Sequence, residues 1–425
     1  MHPIRFIHAA DLHLDAAFSG LSRDIPAEFA ERLRTATFTA FRRLLDLCER
    51  ESPDFLLLAG DVYNQEDASV SAQLALRDGF RRLESLSIPV FLVHGNHDPL
   101  ASRLRSVRWP GNVTVFGELP DAVPVFRKGE ETPLAIIHGA SHASGRETRN
   151  LAALFRRTEA CGLHVGLLHA TPGDADGVAR YAPFSQEDLK ASGMDYWALG
   201  HIHDRREVCR EPLAAYPGCT QGLHINEPGE KGCLLVTAEA RPDGGYAVRT
   251  SFRPLGPAVW KTLDMDLGGA ASLDELENRL RTGLDRAAAE GWSGCEMLLV
   301  RLRLQGRTEL DGLLRKGTTC AELADRLRED GSGVPRIWIK DIDVATRPCV
   351  ERGALLERED LLGEVFRLSE AARTASGLQA LREGPLAPLF AHARAGKALE
   401  PLTDEELARL LDDAESLCLE LLEND

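Results

Sequence analysis

Short apolar runs alternate with helix-like stretches through the first half of the chain. Six runs have the near-continuous apolar character of strands that are buried on both faces, at residues 4–8, 55–59, 90–93, 134–137, 165–168 and 196–199. Between the first two runs, apolar residues recur at helical spacing from Pro26 to Arg50, and Pro53 ends that helix. Residues 68–86 show the same spacing ahead of Pro89. This alternation predicts an α/β layer architecture.

The pattern changes after about residue 255. A polar break at residues 241–245 predicts a hairpin turn. Two alternating, strand-like segments, 260–267 and 297–304, flank an amphipathic helix over 273–289. From about Leu355 the chain becomes largely helical and ends in an acidic segment with a leucine stripe. We therefore expect three parts: an α/β domain (1–255), a small α+β capping domain (256–350) and a helical C-terminal region (351–425).

Composition places the chain among ordinary globular proteins. Of its 425 residues, 44% are hydrophobic and 27% are charged, which argues against a disordered chain or a fibre. No apolar run approaches the roughly 18 to 20 residues that a membrane span needs, so we expect no membrane association. The nine cysteines include no C-x-x-C pair, which indicates neither a disulfide framework nor a zinc ribbon. A reducing compartment fits best, and we expect a cytoplasmic protein.

The net charge of −16 weakly disfavours a nucleic-acid partner, because such proteins usually carry a basic patch. The charge is uneven, however. Residues 403–425 contain nine acidic residues and one arginine, and so carry half of the net charge. The rest of the chain is only mildly acidic, which leaves DNA open as a partner.

Polar clusters follow five of the predicted strands directly. They are Asp11 with His13, Gly60-Asp61, Gly95-Asn96-His97-Asp98, His169, and Gly200-His201-Ile202-His203. In open α/β sheets, functional sites form at the carboxyl ends of the strands. We therefore expect all five clusters to reach one rim.

The residue types in these clusters favour a metal centre. Two aspartates, one asparagine and four histidines suit manganese, iron and other first-row divalent ions better than calcium. The set exceeds the four or so ligands of a single zinc site. Two ions roughly 3.5 to 4 Å apart that share a carboxylate would clamp the attacking and leaving oxygens of a phosphoester and lower the pKa of bound water.

In this order, the motifs D-x-H, G-D, G-N-H-D, H and G-H-x-H resemble those of the calcineurin-like metallophosphoesterase superfamily. The narrower resemblance is to bacterial DNA-repair exonucleases of the SbcD and YhaO type. It is carried by residues 6–15, 195–203, 216–218 and 221–227. The likeness is strong over residues 1–255 and weaker beyond. It implies an α/β fold, a sandwich of two mixed sheets flanked by helices.

The resemblance also implies two ion positions, with manganese as the expected ion. One would be held by Asp11, His13, Asp61 and His203, and the other by Asp61, Asn96, His169 and His201, so that Asp61 is the bridge. His97 would stabilise the transition state or protonate the leaving oxygen, and Asp98 would orient His97. Where relatives often have His or Asp three residues after the bridging aspartate, this chain has Asn64.

The remaining histidines and several arginines have less specific interpretations. His8, His94 and His138 lie in or beside apolar strands, and we expect them to be buried and hydrogen-bonded. His142 and His224 lie in loops that either border the site or lie apart from it. The arginines that follow the ligand clusters either contact phosphates or form a solvated charged surface. These arginines are Arg103, Arg105, Arg108, Arg205 and Arg206.

The leading hypothesis is a two-metal phosphodiesterase that cleaves DNA as an exonuclease, with some endonuclease activity. The resemblance implies an SMC-like ATPase subunit as partner, for which the C-terminal leucine stripe is a candidate docking segment, and it leaves a homodimer open. Alternatives are a phosphodiesterase or phosphatase for a small nucleotide, and a scaffold subunit with weak catalysis. An assay on DNA and on a small ester separates the three.

Overall fold

The structure is a computed structural model of the chain. It describes residues 2–21, 25–64, 69–101, 107–174, 180–242, 244–329, 335–349, 352–392 and 402–423. Arg103 and Arg105 lie outside these ranges. Among the described residues, no helix is both long enough and apolar enough to cross a membrane.

The N-terminal part of the chain contains two six-stranded sheets and the helices that flank them. Its strands are β1 (Ile4–Ala9), β2 (Phe55–Ala59), β3 (Val90–Val93), β4 (Val113–Val115), β5 (Asp121–Val125), β6 (Ala135–Ala140), β7 (Leu163–His169), β8 (Tyr196–Gly200), β9 (Arg206–Arg210), β10 (Leu213–Tyr216), β11 (Gly232–Ala240) and β12 (Tyr246–Pro254). Its helices are α1 (Ala27–Arg34), α2 (Ala36–Glu51), α3 (Val70–Ser85) and α4 (Gln186–Ala191), with a 3₁₀ turn at Ala152–Leu154.

Both sheets are mixed. The first has the order β12-β11-β1-β2-β3-β4, in which β1 to β4 are parallel and β11 is antiparallel to β1. The second has the order β5-β6-β7-β8-β10-β9, in which β6, β7, β8 and β10 are parallel and the two edge strands are antiparallel. The expected fold class, two mixed sheets flanked by helices, is confirmed.

The central strands are buried on both faces, which explains their continuous apolar sequence. On the inner faces, Phe6 of β1 stacks on Phe55 of β2 with ring centroids 4.7 Å apart and meets Tyr196 of β8 edge-on. One apolar cluster joins these residues and so holds the two sheets face to face. On the outer face of the first sheet, Phe41 and Phe80 from α2 and α3 belong to a second cluster. Each long apolar strand of the first sheet is therefore covered by the other sheet on its inner face and by helices on its outer face.

The six apolar runs predicted as strands are all strands, and the predicted hairpin joins β11 to β12. The helix expected from Pro26 to Arg50 is two helices, because the chain bends at Thr35 (φ −97°, ψ 1°). Strands β4, β5, β9 and β10 were not predicted. They have three to five residues each, and β4, β5 and β9 are edge strands in which at most one residue is buried, so they give no long apolar run.

Beyond residue 255 the chain forms a three-stranded sheet and a set of helices. The elements are β13 (Ala258–Asp266), α5 (Leu273–Ala288), β14 (Met297–Thr308), α6 (Asp311–Leu314), α7 (Thr319–Glu329), β15 (Arg336–Pro348), α8 (Arg352–Leu356), α9 (Leu361–Ala372), α10 (Ala375–Glu383), α11 (Ala387–Ala391) and α12 (Asp404–Glu423). The expected helical C-terminal region is confirmed.

Contacts divide the chain into two compact units. The first comprises Met1–Thr262, Arg286–Arg301 and Gly331–Lys340, and the second comprises Leu263–Asp285, Leu302–Asp330 and Asp341–Asp425. The division into 1–255, 256–350 and 351–425 stays a prediction.

The C-terminal helices have a small core of their own. Phe366 and Leu362 of α9 pack with Leu355 of α8 and Leu419 of α12. Beside this core, the buried Glu415 carboxylate accepts hydrogen bonds from Arg352 at 2.8 and 2.9 Å. One face of α12 is therefore fixed by packing and by an ion pair.

Candidate metal centre

The polar clusters lie at the carboxyl ends of strands from both sheets. Asp11 and His13 follow β1, and Asp61 follows β2. His169 is the last residue of β7, and His201 follows β8. In each sheet the two strands are parallel, β1 with β2 and β7 with β8. The carboxyl ends of all four strands therefore lie at one rim, which carries these polar residues.

Asp11, His13 and His203 form the first group of possible metal ligands. One ligand atom of each lies within 4.8 Å of the others. The Nε2 atoms of His13 and His203 are 3.1 Å apart, and Asp11 Oδ1 is 3.9 Å from His203 Nε2. The two imidazoles and the carboxylate thus face a common point.

Asp61, His169 and His201 form the second group, again with ligand atoms within 4.8 Å of one another. Asp61 Oδ2 is 3.3 Å from His169 Nε2, and the Asn96 side-chain oxygen is 3.1 Å from the same nitrogen. The same Asp61 oxygen is 4.0 Å from His13 Nε2 of the first group. Asp61 therefore faces both groups, as a bridging ligand would, although the ligand assignment itself stays a prediction.

Four of the predicted ligands have left-handed backbone conformations. The φ angles are 51° at Asp11, 41° at His13, 50° at Asp61 and 103° at His201. A non-glycine residue in such a conformation costs about 1–3 kcal/mol, and it persists only when its surroundings over-determine it. Here the Asp11 and His13 amides donate to the carbonyls of Gly60 and Asp61, each at 3.1 Å. The turns after β1 and β2 thus lock each other in place.

Two glycines allow the two sheets to approach at this rim. A Cβ on Gly95 would lie 2.2 Å from Asp61 Oδ1, and one on Gly200 would lie 1.8 Å from the carbonyl oxygen of Ala59. No side chain larger than hydrogen fits at either position. The glycine of G-N-H-D and the glycine of G-H-x-H are therefore steric requirements of the site.

Charge at the rim favours bound cations. Burial alone would raise the pKa of Asp61, but the neighbouring His169 and His13 outweigh it and lower that pKa. Burial alone would lower the pKa of His169, but Asp61 outweighs it and raises that pKa to about 9. For Asp11, burial outweighs the nearby imidazoles and raises the pKa. The Asp61 carboxylate thus stabilises positive charge beside it, and the donor set of Asp, Asn and His fits first-row divalent ions.

His97 lies at the exposed mouth of the site. Its backbone amide donates to Asp61 Oδ1 at 3.0 Å, and its ring centroid is 5.1 Å from that of His13. The ring is therefore held beside the ligand groups while it remains open to solvent. An exposed imidazole at this place is suited to a proton-donor role.

Asp98 is buried directly behind His97. Its carboxylate accepts the backbone amides of Gly95 at 2.7 Å and Val62 at 3.0 Å, and it lies 3.4 Å from His94 Nδ1. These contacts tie the loop after β3 to the loop after β2. In the described contacts, Asp98 acts on His97 through this loop, and its direct orientation of the His97 ring stays a prediction.

Three of the imidazoles that face the site are also held from behind. His13 Nδ1 donates to the Asn64 side-chain oxygen at 2.7 Å, and His203 Nδ1 donates to Glu227 Oε1 at 2.5 Å. His169 Nδ1 donates to the main-chain carbonyl of Ala59 at 2.9 Å. Such partners fix the tautomer that leaves Nε2 free for a metal ion.

Glu227 and Tyr181 are site residues that sequence reasoning missed. Burial alone would raise the pKa of Glu227, but His203 outweighs it and lowers the pKa to about 2. The ring of Tyr181 meets that of His201 edge-on at 5.3 Å. Glu227 ends the segment 221–227 that carries the family resemblance, and an acid there was a usable signal. Nothing in the sequence marked Tyr181.

The other histidines divide between the core and the border of the site. His8 is buried and hydrogen-bonded to the Tyr196 hydroxyl and the Leu199 carbonyl, as expected. His138 is buried against His164, at 3.0 Å between ring nitrogens. At the border, His142 donates to the His169 carbonyl, and His224 lies 3.1 Å from Glu227. The two loop histidines therefore border the site.

Cys219 and two of the arginines also lie near the rim. Burial raises the pKa of the Cys219 thiol well above its usual value of 9, so the thiol stays protonated at neutral pH. The Arg205 guanidinium lies 4.1 Å above the Phe252 ring, and that of Arg206 lies 5.6 Å from the Tyr216 ring. Both arginines are exposed, and one residue, Asp204, separates them from the G-H-x-H motif.

Known proteins resemble this chain over most of its length. Residues 4–205 match the family described as calcineurin-like phosphoesterase, and residues 260–347 match the middle domain of metallophosphoesterase YhaO. The uncharacterized metallophosphoesterase YhaO of Bacillus subtilis is 34% identical over 90% of this chain and 91% of its own length.

More distant similarities extend to a repair protein and a solved phosphatase. The DNA double-strand break repair protein Mre11 of Aeropyrum pernix is 27% identical over 68% of this chain and 70% of its own length. The crystal structure of a dimetal phosphatase from Danio rerio covers 59% of this chain and 99% of its own, at 13% identity and a TM-score of 0.33.

Proposed function

This chain belongs to the calcineurin-like metallophosphoesterase family, and from that premise we propose that it is a two-metal nuclease that hydrolyses phosphodiester bonds in DNA. The observation that carries the proposal is the pair of ligand groups that meet at Asp61. Membership of the family makes the protein a metal-dependent phosphoesterase. The choice of DNA as substrate is the proposal.

Two divalent ions, proposed to be manganese, would be held by the two groups of side chains. Asp11, His13 and His203 would hold one, and Asn96, His169 and His201 the other, with Asp61 shared. When bound, such a pair supplies Lewis acidity and lowers the pKa of water, which is the chemistry that phosphoester hydrolysis needs. Mixed oxygen and nitrogen ligands suit manganese, which supports this choice.

The chain's own contribution is to orient these groups and to move a proton. The left-handed turns after β1 and β2 aim the carboxylates of Asp11 and Asp61 at the same point before any substrate arrives. His97 is exposed beside that point and would protonate the leaving oxygen from its imidazole nitrogen. The hydrogen bond from its backbone amide to Asp61 holds the proton donor beside the bridging ligand.

DNA as substrate is supported by the family relatives and by the arginines near the site. The similar protein from Aeropyrum pernix is named as a DNA double-strand break repair protein. Arg205 and Arg206 are exposed and are separated from His203 by one residue, Asp204, and we propose that these arginines contact backbone phosphates. If they do, DNA affinity falls as the salt concentration rises, and an affinity independent of salt removes this part of the proposal.

Assays on three substrates test the function directly: linear duplex DNA, circular single-stranded DNA and the small diester bis(p-nitrophenyl) phosphate. We expect manganese-dependent cleavage of linear duplex DNA and, through endonuclease activity, of circular single-stranded DNA. Activity on bis(p-nitrophenyl) phosphate alone would replace the nuclease by a small-ester phosphodiesterase. Inertness on all three substrates at saturating manganese would favour a scaffold subunit.

We also propose that the C-terminal helices dock an SMC-like ATPase subunit. Leu410, Leu417 and Leu421 of α12 are exposed and recur at seven and four residues, the spacing of a helix-packing stripe. The opposite face of α12 is occupied by Leu419 and its neighbours, which leaves the stripe open. Light scattering of the chain with and without the ATPase, and with Leu417→Asp, tests this docking and also reports a homodimer.

The cytoplasm remains the proposed location, since the cysteines are free.

A further inference from the structure

We infer that Asn64 and Glu227 are positioning residues that set the ion affinity of one metal position, whereas His169 of the other position is held by the main chain. This inference rests on the two-metal centre proposed above. It divides the site into a first position (Asp11, His13, His203) and a second position (Asn96, His169, His201), joined by Asp61. The rings of His13 and His203 differ from the ring of His169 in what holds them.

Glu227 holds His203 with both of its carboxylate oxygens engaged. Oε1 accepts from His203 Nδ1 at 2.5 Å and lies 3.1 Å from His224 Nε2, while Oε2 accepts the Leu223 amide at 2.7 Å. The residue is 6% exposed. Its carboxylate therefore cannot rotate without losing a buried contact, and the His203 ring is fixed with it.

Asn64 has the matching role on His13. Its side-chain oxygen accepts from His13 Nδ1 at 2.7 Å, which leaves His13 Nε2 directed at His203 Nε2, 3.1 Å away. Both histidines of the first position thus depend on a side chain that a single substitution removes. This contact also gives the residue three positions after Asp61 a concrete role.

Behind His169, the contacts among the described residues include no such side chain. Its Nδ1 donates to the carbonyl of Ala59, inside β2, at 2.9 Å. That carbonyl belongs to a fully buried strand, and the close approach of Gly200 to the same oxygen keeps it in place. No side-chain substitution deletes this acceptor. His169 is therefore held by the sheet itself, whereas His13 and His203 are held by replaceable side chains.

A further metal group formed by His203, Cys219 and Glu227 is a competing interpretation, because their ligand atoms lie within 4.8 Å of one another. The geometry opposes it. His203 Nδ1 is already hydrogen-bonded to Glu227, and a cation would have to break that buried contact. The same atoms are better explained as support for His203.

The expected effect follows from the role of such support. An acceptor on Nδ1 fixes the ring and makes Nε2 a better ligand, and its removal typically weakens metal binding about 10- to 100-fold. Glu227→Ala should therefore weaken the binding of one ion by about that factor. Glu227→Gln should weaken it less, because the amide oxygen still accepts a hydrogen bond. Asn64→Ala should weaken the binding of the same ion, whereas Asn64→Asp should bind it as well as the wild type does.

The experiment is a manganese titration of the full chain without DNA, followed by calorimetry and electron paramagnetic resonance. In the wild type we expect two ions and the signal of a coupled pair. In Glu227→Ala or Asn64→Ala, at manganese concentrations that fill only the stronger position, we expect one ion with an uncoupled six-line signal. Glu415→Gln is the control, since this buried, hydrogen-bonded glutamate lies outside the site and should leave both affinities unchanged.

Equal weakening of both ions, or no weakening of either, would overturn the inference. Circular dichroism of the metal-free variants separates a folding defect from a binding defect, and Asn64→Asp and Glu227→Gln provide folded variants if an alanine variant unfolds. A wild type that binds fewer than two ions would instead reject the two-metal centre. The two failures are therefore distinguishable.

Discussion

The rim of the two sheets and the C-terminal helices use their residues in opposite ways. At the rim, strained turns and buried hydrogen bonds fix polar side chains, as with Asp61 between His169 and His13. In the C-terminal region, a single helix has both a packed leucine and an open one: Leu419 is 7% exposed and Leu417 is 54% exposed. The proposed metal centre keeps its geometry at a cost in backbone strain, whereas the proposed docking helix needs only to leave apolar surface uncovered.

Removing the charge of Asp61 tests the rim most severely. Asp61→Asn should weaken both ions, each by at least about 100-fold, because one carboxylate oxygen lies 3.3 Å from His169 and 4.0 Å from His13. Metal analysis after dialysis, together with the DNA assay, measures this. Full occupancy by two ions in this variant would contradict the shared role of Asp61.

His97→Ala separates proton transfer from metal binding at the same rim. The exposed ring contributes no ligand in our assignment, so both ions should stay bound while turnover falls by about 10²- to 10⁴-fold. Single-turnover kinetics at saturating manganese gives the rate, and metal analysis gives the control. Loss of an ion would mean that His97 is a ligand.

A pair of alanine substitutions in α12 tests the contrast within the C-terminal region. Leu419→Ala should lower the free energy of unfolding by about 2–3 kcal/mol, because it opens a cavity beside Phe366. Leu417→Ala should change it by no more than about 0.5 kcal/mol. Urea unfolding followed by circular dichroism compares them. Equal costs would show that the exposed stripe is already packed.

Acid should lower the folding stability of the C-terminal region by protonating Glu415. Burial alone would raise its pKa, but hydrogen bonds from Ser369, Arg373 and Arg352 outweigh this and lower it. A lowered pKa stabilises the fold above the unfolded value of about 4.3, and this stabilisation is lost as the pH falls through the lower pKa of the folded state. The melting temperature of Glu415→Gln should lie a few degrees below that of the wild type at pH 7, and the difference should begin to shrink as the pH falls below about 4. A constant difference would mean that the ion pair does not stabilise the region.

The sequence predicts most of the fold because its central strands carry their own signal. The run Phe55-Leu56-Leu57-Leu58-Ala59 is apolar throughout because the strand is buried on both faces. The edge strand β5, Asp121–Val125, contains Pro124 and exposed residues, and its pairing with β6 is decided by tertiary contacts. The bend at Thr35 is likewise invisible in a periodic apolar pattern.

The site divides in the same way. The ligand motifs could be read because each is a few residues long and follows a strand. The supporting contacts could not: Glu227 meets His203 across 24 residues, and Asn64 meets His13 across 51. Such pairs form only when the loops of the folded chain bring distant residues together, and no local sequence pattern records this. Short motifs therefore identify what faces the ions, and only the structure shows what stands behind it.

The left-handed turns at the rim have a consequence for the protein before any ion binds. Glycine would relax the backbone at His13 or His201, where φ is 41° and 103°. The conformational strain at these two residues is therefore already present in the folded, metal-free chain. An arriving ion does not have to supply the energy that bends the backbone into place.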